Sequence, residues 1–243
     1  MNEYNYSLHY RNWHDESPAH HKEMSAWKAE QIRPHLKLSP EARILDVGCG
    51  FGFALGGLRQ LGYQNISGVE QSQQQATVCR QAGFDVDVTD DTQAWLKTRP
   101  QQFDAVLLFD VLEHVHASIQ IDFLRAIHSC LRPGGIVLLT VPNANAILSA
   151  RWRYIDYTHF SSFTEYSLSF VLENAGFQRP WIDNEKGIGR FPRRIWRRRN
   201  WPAMRKWFVR WCWLQVFKAE QPNEPIEKIS FELNLTAVAK KDA

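Results

Sequence analysis

Residues 43–57 read RILDVGCGFGFALGG, which places an apolar strand, a glycine-rich turn and the start of a helix within one short stretch. No other part of the chain limits its fold so strongly. Gly48, Gly50 and Gly52 let the backbone turn sharply between strand and helix and let a ligand approach closely. The rest of the chain repeats the strand-then-helix theme. NISGVEQS predicts a second strand, Ile66 to Glu70, and Ser72 with Gln75 has the spacing of a capping box for the next helix. DVDVTDD predicts a third strand ending in acidic residues, and FDAVLLFDVLEHV a fourth ending at Asp110. A helix to Leu131, the turn RPGG and a fifth strand, IVLLTVPN, follow.

Strands that alternate with helices and are themselves near-continuous apolar runs form a parallel sheet covered on both faces. Ligands bind such sheets at the carboxyl ends of the strands, and the unusual polar clusters of this chain fall at those ends. Upstream, residues 18–36 read as a helix with Met24, Trp27, Ile32 and Leu36 loosely periodic. Downstream, TEYSLSFVLENAGF is an amphipathic helix stopped by Gly176, a strand is expected near Arg179–Asp183, and ISFELNLTAVAKK alternates as an edge strand does. With 243 residues, 44% of them hydrophobic, one elaborated domain with a sizeable core is expected.

The ligand at the glycine turn can be narrowed. A dinucleotide fingerprint wants a third glycine at position 53, which is Phe53, and Asp46 before the turn would repel a pyrophosphate. A ligand carrying a positive group fits better. In the form ILDVGCGFG the stretch resembles motif I of the class I S-adenosylmethionine (SAM)-dependent methyltransferases. The resemblance continues in register through GVEQS, the acidic end of strand three, FDAVLLFDVLEHV and LRPGGIVLLTVPN, covering residues 43–177. It implies an α/β, Rossmann-like, doubly wound and mostly parallel seven-stranded sheet with an antiparallel edge strand. It also implies SAM as cofactor. Asp46 would lie near the methionine amino group, Gly48, Cys49, Gly50 and Gly52 would line the loop, and Glu70 would bind both ribose hydroxyls. Asp90, next to a second candidate Asp91, would sit by the adenine amino group, with Gln71 and Asp110 completing the cofactor's surroundings. Apart from the resemblance, a carboxylate at Glu70 suits a vicinal diol, since it accepts two hydrogen bonds.

Two clusters are candidates for the reacting end. Asp110, Glu113 and His114 are spaced i, i+3, i+4 and share a face if the turn is helical. Carboxylate and imidazole ligands together could hold a divalent ion that lowers the acceptor hydroxyl's pKa. D-V-L-E-H resembles the corresponding segment of ubiquinone-biosynthesis O-methyltransferases and small-RNA 2′-O-methyltransferases, members of which use such a cluster for metal. A metal-free pocket floor and a structural turn are the other readings, and His116 is expected to face solvent. The second cluster lies in RYIDYTHFSSFTEYSL, where Asp156 could orient His159 and raise its basicity, giving a general base near neutral pH. The T-H-F…F-T pattern resembles the methyltransferase loop that faces the acceptor. A histidine bracing the helix that starts near Thr164 is the alternative. Arg151 and Arg153 are either solvated or read an anionic group of the acceptor.

Residues 1–36 are expected to act as a cofactor lid, with Tyr10 as the candidate contact, ahead of a methyltransferase domain over 37–243. Near 188–222 a basic, tryptophan-rich helical insertion interrupts that domain. From Arg190 to Lys218 there are ten Lys/Arg and no Asp/Glu, so the remaining charge is 3 − 10 = −7. Met204, Trp207, Phe208 and Trp211 form one stripe with Lys206 and Arg210 opposite. The insertion is an amphipathic helix on an anionic membrane surface, a packing element against the domain or a second subunit of a homodimer, or a nucleic-acid surface. The N-terminus lacks a signal-peptide layout, and no apolar run approaches the roughly 20 residues needed to cross a bilayer. The four cysteines lack zinc-ligand spacing. A cytoplasmic enzyme, peripheral at the inner membrane face, is the expectation. The expected acceptor is a sugar hydroxyl of a lipid-linked glycan or cell-envelope precursor, with a quinone-type phenol or RNA ribose as the enzyme alternative. The non-enzyme alternative is a SAM-binding regulatory or adaptor protein.

Overall fold

The computed structural model describes residues 14–183, 201–225 and 229–242. Tyr10, the first residues of the expected lid and residues 188–200 of the insertion lie outside them. The chain runs through α1 (Pro18–Ile32), β1 (Arg43–Val47), α2 (Phe53–Gln60), β2 (Asn65–Glu70), α3 (Gln73–Gln81) and β3 (Asp85–Val88). It continues with α4 (Thr92–Lys97), β4 (Phe103–Phe109), α5 (Gln120–Cys130), β5 (Leu131–Pro142) and α6 (Ser149–Tyr154). The last elements are α7 (Glu165–Asn174), β6 (Gln178–Ile182), α8 (Trp201–Glu220) and β7 (Asn234–Lys240).

The strands form one seven-stranded sheet in the order β3-β2-β1-β4-β5-β7-β6. β1 to β5 pair in parallel, and β7 is antiparallel to both β5 and β6. The antiparallel pairing is as expected, but β7, expected as an edge strand, threads between β5 and β6, so β6 is outermost. The apolar runs follow from two covered faces. Leu45, Val106, Leu108, Val137 and Leu139 join one core with α5 and α7, while Ile44, Ala105, Leu107 and Leu138 join the other with α1, α2 and α3. The chain leaves β1 towards β3 and returns at β4 beside β1. The carboxyl ends of β1 and β4 therefore flank the switch point of the sheet, where such folds bind ligands.

Local signals hold where their partners are local. Ser17 caps α1, Ser72 accepts from the Gln75 amide at the start of α3, and Thr164 with Ser167 forms a capping box on α7. Gly176 follows α7 with φ 101°. The expected Ser72–Gln75 reciprocity is only half present among the described bonds, since the Ser72 amide donates to Glu70 Oε1 at 2.8 Å.

The first helix buries Ile32, with Leu36 beyond its end, as the sequence pattern suggests, but not Trp27. Its buried residues are Ser25, Lys28, Ala29 and Ile32, spaced i, i+3, i+4, i+7, whereas Trp27 is exposed. Small residues win because α2 presents Gly56 and Gly57, and the two backbones approach closely. A Cβ on Gly57 would lie 2.8 Å from the Ala29 backbone nitrogen and 3.0 Å from the Ser25 carbonyl oxygen. Gly57→Ala gains up to about 1 kcal/mol of helix propensity. The backbone clash costs about 1–3 kcal/mol. The variant is expected to be less stable than the parent in urea unfolding, and a gain in stability would show that the α1–α2 contact yields.

Candidate active site

The site begins at the glycine turn. Gly52 has φ 82° and precedes α2, and a Cβ there would lie 2.5 Å from Cys79 Sγ. Phe53, in place of a third glycine, is the first residue of α2 and is buried under α1, with ring contacts to His14, His20 and His21. The N-terminal helix thus lies against the turn that the sequence marks as the cofactor loop.

Asp46 ends β1 in a buried position. Loss of solvation pushes its carboxyl up to about 7; nearby Lys28 opposes that shift and Glu70 adds to it. Glu70, at the end of β2, is also buried, and burial raises its pKa although three backbone amides donate to it. Those donors are Gly50 N to Oε2 at 2.9 Å, and Gln71 N and Ser72 N to Oε1 at 2.9 and 2.8 Å. The carboxylate ties the glycine turn to the end of β2. Beyond β3, Asp90 and Asp91 are both exposed, and Asp91 is the N-cap of α4, accepting from Ala94 N. Gln71 is exposed, with its side-chain amide 3.5 Å from Thr92 Oγ1.

Lys28 was not singled out from the sequence. It is buried, its ammonium is 3.6 Å from Asp110 Oδ2 and 4.2 Å from the Phe109 ring centroid, and its charge acts on Asp46 and Glu113. The signal was its place in register with Ser25 and Ala29, small residues matched to the Gly56–Gly57 pair. Asp110 itself has φ 58°, a left-handed conformation that aspartate tolerates better than most residues.

The expected metal cluster is corrected in one member. Asp110 Oδ1 accepts from Thr140 Oγ1 at 2.9 Å and Asn234 Nδ2 at 3.1 Å, and its other oxygen faces Lys28. Its carboxylate therefore belongs to the β4–β5–β7 strand ends and to α1. The group that comes together is Glu113, His114 and His159, whose ligand atoms all lie within 4.8 Å of one another. Asp110 precedes the 3₁₀ turn over Leu112–His114 and has φ 58°, so it lies outside the helical turn assumed for i, i+3, i+4 spacing and diverges from the other two. His159 arrives from the loop after α6, held by the Phe160 amide donating to the Glu113 carbonyl at 2.7 Å. Gln120 Nε2 spans Leu112 O, Val115 O and Ser161 Oγ across the same junction.

Inside this group, His159 Nε2 is 4.0 Å from Glu113 Oε1, and the two imidazoles meet edge to face with centroids 4.7 Å apart. Glu113 Oε2 is buried without a hydrogen-bond partner. Burial, reinforced by Asp110, holds the Glu113 carboxyl well above the usual carboxylate range. Burial lowers His114 to about 4, with His159 adding to the effect. His159 is also lowered, so the expected gain in basicity is corrected: the field of Asp156 raises it, but desolvation outweighs that field. Asp156 is linked to His114 through Thr158, whose hydroxyl donates to Asp156 Oδ1 at 2.6 Å and lies 2.9 Å from His114 Nδ1. A hydroxyl has one proton, so Thr158 accepts from His114 Nδ1–H, which leaves the ring's lone pair on Nε2. This relay orients an imidazole as second-layer bonds orient metal-ligating histidines. His116 is exposed, as expected.

The family model described as "Methyltransferase domain" matches residues 11–179. The chain belongs to this family. The ubiquinone biosynthesis O-methyltransferase of Ruegeria pomeroyi is 32% identical over 151 residues, 56% of this chain and 60% of that protein. Its namesake in Stutzerimonas stutzeri is 29% identical over 147 residues, 57% of this chain and 61% of that one. The chain thus matches less than two thirds of these relatives' length. Among solved structures, a SAM-dependent methyltransferase from Archaeoglobus fulgidus superposes with a TM-score of 0.68 at 19% identity, covering 98% of this chain and all of the other. The [4+2]-cyclase SpnF shares the fold with a TM-score of 0.56 at 21% identity over 95% and 85% of the two chains. The fold is that of the class I SAM-dependent methyltransferases. SAM fits the residues present, since Asp46 is a buried carboxyl raised by desolvation, which a cationic group would relieve, and Gly48, Gly50 and Gly52 turn through φ of 69°, 54° and 82° without side chains.

Asp46 gives a test of this environment. Its folded pKa lies above the unfolded one, so its contribution to stability is fully present below about pH 4 and is lost as pH rises through about 7. Urea unfolding of the ligand-free protein between about pH 4 and 8 should show the parent losing stability relative to Asp46→Asn as pH rises. A difference independent of pH would mean that Asp46 is solvated.

Proposed function

We propose that this protein transfers the methyl group of SAM to a hydroxyl oxygen, and that the acceptor is a quinone-type phenol. The observation that carries the reading is the Glu113–His114–His159 group just beyond β4, with the carboxylate buried and both imidazoles half-buried. The glycan acceptor expected from the sequence gives way to the phenol because the relatives named above are ubiquinone-biosynthesis enzymes. A physical argument supports the change. A phenol ionises near pH 10 and so demands far less of its base than a sugar hydroxyl, and the imidazoles here are weakened by burial.

When bound, SAM supplies an activated methyl group on a sulfonium. Asp46 would meet the ammonium and Lys28 the carboxylate of its methionine part. Glu70 would accept from the ribose hydroxyls, Asp90 from the adenine amino group, and Gly48, Cys49, Gly50, Gly52 and Gln71 would line the remainder. Asp110 acts through Lys28, holding that ammonium at 3.6 Å. At the reacting end, His159 is neutral at pH 7 and can take the acceptor's proton. His114 is neutral too, and the Thr158–Asp156 relay sets its tautomer.

A metal-assisted version of the same reaction is favoured by two features, the convergence of one carboxylate and two imidazoles within 4.8 Å and the unpartnered buried Glu113 Oε2. Glu113, His114 Nε2 and His159 would hold a divalent ion, whose chemistry there is to lower the pKa of an acceptor hydroxyl.

Two measurements test these assignments. Calorimetry should show that Lys28→Met and Asp46→Asn each weaken SAM binding about tenfold or more, the scale of a charged hydrogen bond; unchanged affinity in both would remove the cofactor assignment. Labelled SAM should transfer methyl to a polyprenyl catechol in preference to sugar and RNA acceptors. Glu113→Gln and His159→Ala should slow this transfer by about 100-fold or more with SAM affinity intact. Loss of transfer with a chelator supports the metal version, and indifference to it leaves His159 as the base. Transfer to none of these acceptors would point to a SAM-binding adaptor.

A further inference from the structure

α8 is held to the domain along one narrow line. Arg210 is buried and makes a bidentate pair with Glu232, with both N–O distances 2.7 Å, and Lys206 approaches the same carboxylate at 3.6 Å. Leu214 packs on Ile229 and Phe231, with Phe217 beside them. Trp213 donates its indole N–H to the Asn145 carbonyl at 3.2 Å, so this line borders the loop that follows β5. Arg210, set by the sequence opposite the Met204–Trp211 stripe, is thus an inward anchor, and the docked line is that opposite face and not the stripe.

Beyond this line Met204, Trp207 and Cys212 are half-buried, and the outer face of the helix carries an exposed apolar load. Trp201, Phe208, Val209, Trp211 and Val216 are 55%, 57%, 50%, 40% and 51% exposed, and Phe208 and Trp211 stack on each other. Arg205 and Lys218 are exposed among them, and the sole carboxylate of the helix is its last residue, Glu220. The whole stretch from Arg190 to Lys218 carries ten Lys/Arg and no acid, against −7 for the remainder of the chain. A helix of 20 residues is about 30 Å long. No helix among the described residues is long and apolar enough to cross a membrane.

We propose that the outer face of α8 docks on the surface of an anionic lipid bilayer, with the helix lying in the plane of the interface. Tryptophan and phenylalanine sit at headgroup depth, and the flanking cations are attracted to acidic lipid. The competing occupants fit less well. Single-stranded nucleic acid wants stacking platforms in a basic groove, and Val209 and Val216 offer no ring to stack on. A second copy paired about a two-fold axis would bring two such basic stretches together, at a repulsive cost. The proposal does not rest on the methyl-transfer reading. Its consequence is nonetheless spatial, because α8 borders the loop after β5 through Trp213 and Asn145, next to the loop that carries His159.

The test is co-sedimentation of the full chain with vesicles of phosphatidylcholine alone or mixed with phosphatidylglycerol, with single-stranded RNA binding and solution mass measured in parallel. Expected are binding to the phosphatidylglycerol vesicles only, its weakening by salt, and a loss of about tenfold or more in Phe208→Ser/Trp211→Ser. Arg205→Gln should weaken it further. Circular dichroism melting checks that the double variant is folded, and quenching of the parent's tryptophan emission by bilayer-embedded bromolipid reports insertion without any variant. Equal binding to both vesicle types, no vesicle binding, RNA binding in its place, or a dimer that resists vesicles would each overturn the proposal.

Discussion

Several carboxyl groups are brought to the carboxyl ends of parallel strands, in surroundings where charge is poorly solvated, and the rest of the molecule is arranged around that fact. Asp46, Glu70 and Glu113 are buried, and each has its pKa raised mainly by loss of solvation. Burying ionised carboxylates is costly unless partners compensate. Three amides of the glycine turn and the start of α3 supply part of the compensation at Glu70. Lys28 supplies positive charge near Asp46, Asp110 and Glu113, and it reaches that point because α1 settles on two glycines of α2. What remains uncompensated is a standing preference for a cationic ligand at Asp46 and for an electrophile or a proton at Glu113.

The antiparallel strand β7 has more to do than complete the sheet. Because it threads between β5 and β6, Asn234 arrives beside Asp110, and Trp152 of α6 donates to the Asn234 side chain at 2.7 Å. Just upstream, Glu232 receives Arg210 of α8, and Asn143 at the end of β5 donates to the Ser230 and Glu232 carbonyls. One short segment therefore joins the insertion, the loop after β5 and the strand end that carries Asp110. A change in how α8 is seated would be felt first in that segment, the route by which an outer surface and an inner site can be coupled.

The sequence made the sheet legible because its cues are short-range. Apolar runs, capping residues and the glycine turn each act over a few residues, and the acidic strand ends follow once strand boundaries are known. The reading failed where partners are distant or small. On α1 the pattern located Ile32 but missed Ser25, Lys28 and Ala29 and included the exposed Trp27, because Gly56 and Gly57 carry no side chain to signal a packing surface. The pairing of Arg210 was not legible because its partner, Glu232, lies beyond the end of the helix.

The sequence by itself determined a parallel α/β sheet with a glycine turn and acid-tipped strands, and with them the family and its cofactor. Only the tertiary structure decided which side chains meet at the reacting end. It turned Asp110 towards Thr140, Asn234 and Lys28, and it put His159 beside Glu113 and His114 in its place. The reason is geometric: Asp110 stands in a left-handed conformation ahead of the 3₁₀ turn that carries Glu113 and His114, so the three do not share one helical face. The loop bearing His159 is positioned by backbone and side-chain bonds to that turn, Phe160 to Glu113 and Gln120 to Ser161, which no spacing in the sequence encodes.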